Sequence, residues 1–217
     1  MIRKIAVIGN SYKFLNILNS TYPKSIIKVY PWRKLDKTIL VKKKNLKKID
    51  IILICGYDYK SHWYPFNRYY FINIIKPLKL IKSLSSTKTK IIYINTVNKL
   101  KNKSLQNNIF SWSRYDFAKK ELAYKLSKHF KLLKILELPV IEKKNGLANI
   151  HGGIFTLFVF NFLIYFKLIK TIKVVRIKKL IKSKIMKKNI IVKRSKPVFL
   201  DIPRSHFIDR LLRFISE

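Results

Sequence analysis

The chain has 217 residues, of which 48% are hydrophobic, so it is long enough for one well-packed core with a small second lobe. Its single cysteine, Cys55, excludes a disulfide framework and a cysteine-based zinc site. The net charge of +38 predicts attraction to anions. Lysine is spread along the whole chain and arginine, the better reader of bases, is scarce, which favours a compositional origin of the charge over a nucleic-acid partner.

The amino-terminal residues predict a strand, a glycine turn and a helix. Residues 3–9 form a short apolar run that is typical of a buried parallel strand, and helical spacing follows over residues 10–19. Such a turn binds phosphate, because N–H groups at a helix N-terminus can hold a pyrophosphate. The predicted phosphate contacts are Gly9, Asn10, Ser11 and Lys13. Gly9 is the only glycine of the usual set, so a plain strand-to-helix turn remains the alternative.

Two further strands are predicted over residues 25–32 and 50–56, with a reduced strand over 38–41 between them. Arg33 directly follows the first of these strands and suits the 2′-phosphate of NADP. Asp36 suits the ribose diol of NAD, so both cofactors stay open. The second ends at Cys55 and Gly56, which we place on the cofactor side, with simple packing as the alternative for Cys55.

A helix is predicted over residues 69–84, where Pro77 would introduce a kink. Asn73 lies among its apolar positions and is either a capped structural group or part of a site, because a buried amide needs partners. The next strand, residues 89–96, ends at Thr96. This alternation of strands and helices predicts a parallel sheet with helices on both faces and ligands at the carboxyl ends of the strands.

The predicted helix over residues 111–130 places Tyr115 and Lys119 one turn apart on one face. A nearby ammonium favours the ionised phenol, which makes Tyr115 a better proton carrier near neutrality. The same spacing occurs twice more, at Tyr30/Lys34 and Tyr124/Lys128. The first of these pairs starts in a strand, where such residues do not share a face, and the second lies at the end of the helix, so context favours Tyr115 and Lys119.

The carboxyl-terminal part is less regular. A strand is predicted over residues 132–140, including Pro139, and a terminal helix over residues 203–215. The apolar run 154–166 is 13 residues long, shorter than the ~20 residues that cross a bilayer. The basic, amphipathic run that follows it suits either anionic lipid or a packed helix with a solvated basic face. We therefore expect peripheral membrane contact, if any, through residues 154–192.

In this order, these residues resemble the short-chain dehydrogenase/reductase superfamily, closest to its extended branch of nucleotide-sugar epimerases, dehydratases and reductases. The resemblance covers about residues 2–142. It implies that Thr96 holds the substrate oxygen, that Tyr115 moves its proton, and that Lys119 tunes the tyrosine and holds the nicotinamide ribose. It also places Asn73 on the family's asparagine-bearing helix, as a further catalytic residue, and Pro139 at the nicotinamide end.

We therefore expect an α/β fold, a doubly wound, Rossmann-like parallel sheet, with residues 1–142 binding NAD or NADP. A small helical substrate region, residues 143–217, would pack on it. The expected activity is that of an oxidoreductase or epimerase/dehydratase on a nucleotide-linked sugar, without a metal. The resemblance implies a homodimer, and the lack of an opening signal sequence favours a cytoplasmic or membrane-associated protein.

Two other functions stay open. The first is a degenerate Rossmann-type protein that binds a nucleotide without turnover, because most of the usual glycines of the turn are missing. The second is a basic protein that binds membrane or nucleic acid, because of the net charge.

Overall fold

The computed structural model describes residues 2–9, 12–30, 49–58, 61, 64–96, 114–143, 145–148 and 154–183. The predicted strand over 38–41 and the predicted terminal helix over 203–215 lie outside these residues, as does Arg33.

A parallel sheet of five strands forms the centre of the molecule, in the order β2-β1-β3-β4-β5. The strands are β1 (Lys4–Ile8), β2 (Ile26–Tyr30), β3 (Ile51–Ile54), β4 (Lys90–Thr96) and β5 (Leu133–Leu138). β1 and β3 are almost wholly apolar because side chains on both faces of the inner strands are buried. The chain leaves β1 first toward β2 and then crosses to β3, so the strand order reverses between β1 and β3.

Helices cover both faces of this sheet, which confirms the doubly wound α/β fold. One face packs against α1 (Tyr12–Thr21) and α6 (Val174–Lys182) through residues such as Val7 and Leu53. The other face packs against α3 (Lys76–Leu84) and α4 (Arg114–His129) through residues such as Ile8 and Ile54. Alternate residues of one strand therefore enter different cores, as the two-residue period of a strand requires.

The helix predicted over residues 69–84 begins at Phe66, and a π-helical turn precedes Pro77, where a kink was predicted. It consists of α2 (Phe66–Tyr70), a π-helical turn (Phe71–Ile75) and α3. The N–H of Lys76 donates to the carbonyl of Phe71, five residues back, just before Pro77. Proline has no N–H for the carbonyl four residues earlier, and the wider turn carries the chain past this point without a break.

The strand predicted over residues 132–140 is wrong in its extent. β5 ends at Leu138, and Pro139 separates it from β6 (Val140–Glu142), which pairs in parallel with β7 (Thr171–Lys173) in a second sheet. Proline cannot donate to a ladder, so the chain changes sheets there. α5 (Ile154–Tyr165) lies between the two short strands in sequence.

The packed alternative is confirmed for the first part of the basic run. Ile177 and Ile181 of α6 are buried in the same core as α1, so the apolar face of this helix is used by the protein itself. Residues 184–192 lie outside the described part of the chain. Among the helices that the structure describes, none is long and apolar enough to cross a membrane.

Candidate active site

The ends of β1 and β3 meet at the carboxyl edge of the sheet, where the strand order reverses. Gly9 has a φ of 121°, and a Cβ on it would lie only 2.5 Å from the nitrogen of Gly56. The carbonyl of Ile8 accepts hydrogen bonds from the N–H groups of Cys55 at 3.0 Å and of Gly56 at 3.2 Å. Both predicted glycines are therefore adjacent, and only glycine fits at position 9. Open parallel sheets bind ligands outside the carboxyl ends of their strands, at the point where the strand order reverses.

Lys119 of α4 reaches the same edge. Its side chain is 4% exposed, and Nζ donates to the carbonyl of Ile94 at 3.2 Å and to that of Gly56 at 3.4 Å. No carboxylate among the described residues forms an ion pair with it. Burial lowers its pKa from 10.5 to about 8, against a smaller opposing effect of Cys55. At neutral pH the ammonium is therefore still mostly protonated, and the ends of β3 and β4 hold it in place.

Tyr115 lies one turn before Lys119 and is half-buried. The ammonium of Lys119 is 5.6 Å from the centroid of the Tyr115 ring. The ring also meets that of Tyr57 edge to face, with centroids 4.7 Å apart and planes at 80°. Tyr57 is itself fixed by a hydrogen bond of 3.0 Å between its hydroxyl and that of Tyr69. The structure thus brings the predicted pair together, with the cation against the ring and with the orientation of Tyr115 set by a second aromatic residue.

Two residues of β4, Tyr93 and Asn95, lie on the face of the sheet that α4 covers and were not predicted as site residues. The hydroxyl of Tyr93, a fully buried residue, donates to the backbone carbonyl of Lys119 at 3.1 Å, and the ring centroid is 5.3 Å from Nζ. Asn95 is 4% exposed, and its Oδ1 accepts no hydrogen bond from the described residues. The signal available in the sequence was their alternation along β4, which places both on the face that α4 covers. A buried oxygen of this kind would accept a hydrogen bond from a ligand hydroxyl or amide.

Asn73 has a structural environment. Its Oδ1 accepts the N–H of Asp58 at 2.9 Å, while Nδ2 donates to the hydroxyl oxygen of Ser61 at 2.5 Å and to the carbonyl of Tyr69 at 3.3 Å. Of the two alternatives for this residue, these contacts describe the capped structural group. Asn73 ties the loop after β3 to the π-helical turn and so positions Tyr57 beside Tyr115.

The other predicted site residues are only partly described. Thr96 ends β4, opposite Leu138, and Pro139 follows β5, so both backbones are at the carboxyl edge. The side chains of Thr96 and Lys13 lie outside the described part of the structure, as do all atoms of Asn10 and Ser11. Their contacts with a cofactor or substrate stay predictions.

Neither a protein-family model nor a curated protein matches this chain. Among the solved structures that do match is a short-chain dehydrogenase/reductase superfamily protein from Agrobacterium tumefaciens with bound NAD. The match has 10% sequence identity and a TM-score of 0.43, and it covers 67% of this chain and 52% of the other. The chain therefore spans about half the length of that protein.

Proposed function

We propose that this protein is an NAD(P)-dependent oxidoreductase or epimerase/dehydratase that acts on a nucleotide-linked sugar, with Tyr115 as the proton carrier. The observation that carries the proposal is the buried ammonium of Lys119 at the carboxyl edge of the sheet. The change of its pKa from 10.5 to about 8 corresponds to about 3 kcal/mol of unfavourable burial at neutral pH. A buried cation retained at such a cost, at the edge of the sheet where ligands usually bind, is typical of a functional site.

The residues at this edge fit a nicotinamide dinucleotide. Gly9 and Gly56 lie where the strand order reverses, and Lys119 offers a cation. Asn95 offers an oxygen that accepts no hydrogen bond from the described residues. Lys119 would hold the nicotinamide ribose, and Arg33 would contact the 2′-phosphate if the cofactor is NADP. When bound, the cofactor supplies the hydride transfer that side chains cannot perform.

Tyr115 would move the proton on the substrate hydroxyl. The Lys119 ammonium lies 5.6 Å from the centroid of the Tyr115 ring, and the Tyr57 ring packs against that ring edge to face, which limits its rotation. Thr96 would hold the same substrate oxygen. The nucleotide-linked sugar follows from the resemblance over residues 2–142, and the strong positive charge of the chain suits a diphosphate.

The proposal is tested by titrating the purified protein with NAD(H) and NADP(H) at moderate salt, which suppresses nonspecific attraction of phosphates. We expect saturable binding that Lys119→Ala weakens by tenfold or more. Lys128→Ala is the matched control, because it removes one charge from an exposed position of the same helix. Equal losses in the two variants would attribute binding to net charge, and no binding by the wild type would contradict the proposal.

A further inference from the structure

Helix α5 exposes aromatic side chains that the fold leaves uncovered by the described residues. Its sequence, IFTLFVFNFLIY, contains no charged residue. One side packs through Phe160, Leu163 and Ile164 onto the small core beside β6. The other side, with the residues just after the helix, forms what we call the aromatic patch, whose exposed fractions are 67% for Phe158, 50% for Phe162, 80% for Tyr165, 54% for Phe166 and 46% for Leu168.

The aromatic patch is a continuous surface. The ring centroids of Phe162 and Phe166 are 4.5 Å apart, and those of Tyr165 and Phe166 are 5.2 Å apart. Residues 158, 162, 165 and 166 follow the helical period, so one stripe of α5 presents them together. Soluble monomers rarely expose a contiguous apolar surface of this kind unless it contacts a partner.

Three exposed lysines follow α5 closely in the sequence. The N–H of Leu168 donates to the carbonyl of Leu163, and that of Lys167 to the carbonyl of Ile164, each at 2.9 Å. This pair of bonds closes the helix around Lys167, which has a φ of 55° where glycine is usual. Lys167, Lys170 and Lys173 are all exposed. Lys167 directly follows Phe166, and Lys170 follows Leu168 by two residues, so exposed cations and exposed apolar side chains are neighbours along this segment. This composition is typical of interfacial helices that bind anionic lipid.

We infer that the aromatic patch docks onto an anionic lipid bilayer, with α5 lying in the interface. The helix has 12 residues, about 18 Å, and cannot span a hydrocarbon core of about 30 Å. A second copy is a poorer occupant, because pairing would bring together two chains that each carry a net charge of +38. The inference narrows the predicted membrane region to α5, since α6 buries its apolar face. It does not rest on the proposed cofactor chemistry.

Co-sedimentation with vesicles of phosphatidylcholine containing phosphatidylglycerol tests the inference. We expect the wild type to bind them, to bind pure phosphatidylcholine vesicles much less, and to release as salt rises. The triple variant Phe158→Ser/Phe162→Ser/Tyr165→Ser should bind at least tenfold more weakly, because each aromatic side chain that the bilayer buries contributes about tenfold. Phe71→Ser, at another exposed phenylalanine, should bind like the wild type. Wild-type affinity in the triple variant, or no binding by the wild type, would overturn the inference.

A second measurement distinguishes the bilayer from other occupants. In the full-length Phe162→Cys variant, alkylation of residue 162 is followed by peptide mass spectrometry, so that Cys55 does not interfere. We expect rapid labelling without vesicles and strong protection by the anionic vesicles. Slow labelling without vesicles at every protein concentration would mean that another part of the chain covers the patch. Protection that grows with protein concentration would indicate a second copy, and either result would overturn the inference.

Discussion

Helix α4 contains two tyrosine–lysine pairs with the same spacing and different surroundings. The Lys119 ammonium is 5.6 Å from the Tyr115 ring, and the Lys128 ammonium is 5.7 Å from the Tyr124 ring. The likeness follows from the helix, which places residues four apart on one face. Lys119 is buried against the carbonyls of Gly56 and Ile94, whereas Lys128 is exposed in the last turn. The helical spacing alone therefore produces both pairs. Only packing against the edge of the sheet makes the Tyr115–Lys119 pair a candidate site.

The largest effect should separate the two tyrosines. Tyr115→Phe removes the proposed proton carrier and should lower turnover by about 10² to 10⁴-fold, the usual contribution of a general acid or base. Tyr124→Phe should leave turnover within about twofold of the wild type. Product formation from a panel of nucleotide-linked sugars with NAD(P) measures both. Equal activity of Tyr115→Phe and wild type would exclude Tyr115 as the proton carrier.

Two glycines with similar backbone conformations also differ in their surroundings. Gly9 and Gly146 both have positive φ, but a Cβ on Gly9 would collide with Gly56, and one on Gly146 would meet nothing within 4 Å. Gly9→Ala should therefore lower the free energy of unfolding by about 3 kcal/mol or more. Gly146→Ala should lower it by only about 1 kcal/mol. Urea denaturation of both variants measures the difference, and equal costs would mean that the close contact between the ends of β1 and β3 is absent in solution.

Asn73 either holds the loop after β3 in place or takes part in the reaction, and its substitution distinguishes these two roles. Asn73→Ala leaves the buried N–H of Asp58 without its acceptor and should lower the free energy of unfolding by about 1 to 3 kcal/mol. Asn67→Ala, on the exposed side of α2, should change it by less than about 0.5 kcal/mol. If Asn73→Ala lost turnover with its stability unchanged, Asn73 would belong to the reaction itself, as the resemblance implies.

The smallest effect is the change in the free energy of unfolding when Lys119 or Lys128 is replaced by methionine. Lys119→Met removes about 3 kcal/mol of burial cost at pH 7. It also removes the two hydrogen bonds from Nζ, at about 1 kcal/mol each, so the net gain in the free energy of unfolding is about 1 kcal/mol. Folded Lys119 releases its proton near pH 8 and the unfolded residue near 10.5, so wild-type stability rises with pH between these values. The gain of the variant should therefore shrink above pH 8 and reverse by about pH 10.

Lys128→Met is the control for this pH dependence, because its side chain is exposed in the folded protein. Its difference from the wild type should stay nearly constant from pH 7 to pH 10. Chemical denaturation at several pH values gives both curves. A constant difference for Lys119→Met would show that the Lys119 ammonium is hydrated in solution.

The sequence predicted the elements that repeat a pattern. β1, β3 and β4 are continuous apolar runs, and the helical period over residues 114–129 was sufficient to pair Tyr115 with Lys119. The short strands β6 and β7 escaped prediction because three residues do not establish a period. The π-helical turn escaped because its apolar spacing also fits an ordinary helix.

The site was harder to predict than the fold, because its contacts join distant segments. Nothing near Tyr93 in the sequence indicates that its hydroxyl meets the backbone of Lys119, 26 residues later. The role of Asn73 depended on where the loop after β3 comes to lie, which no local pattern specifies. Composition could not point to Lys119, because a chain with 48 lysines and arginines gives no sign of which of them is buried at the sheet edge.

A nicotinamide dinucleotide that binds at the carboxyl edge beside Lys119 should shield Cys55, which is half-buried at that edge. This residue is the chain's single cysteine and directly follows β3, next to Gly56. The measurement is the rate of Cys55 alkylation with and without NAD(H) or NADP(H). We predict that the cofactor slows alkylation in the wild type and gives little protection in Lys119→Ala. An unchanged rate at saturating cofactor would contradict the account, because the nucleotide would then bind elsewhere or not at all.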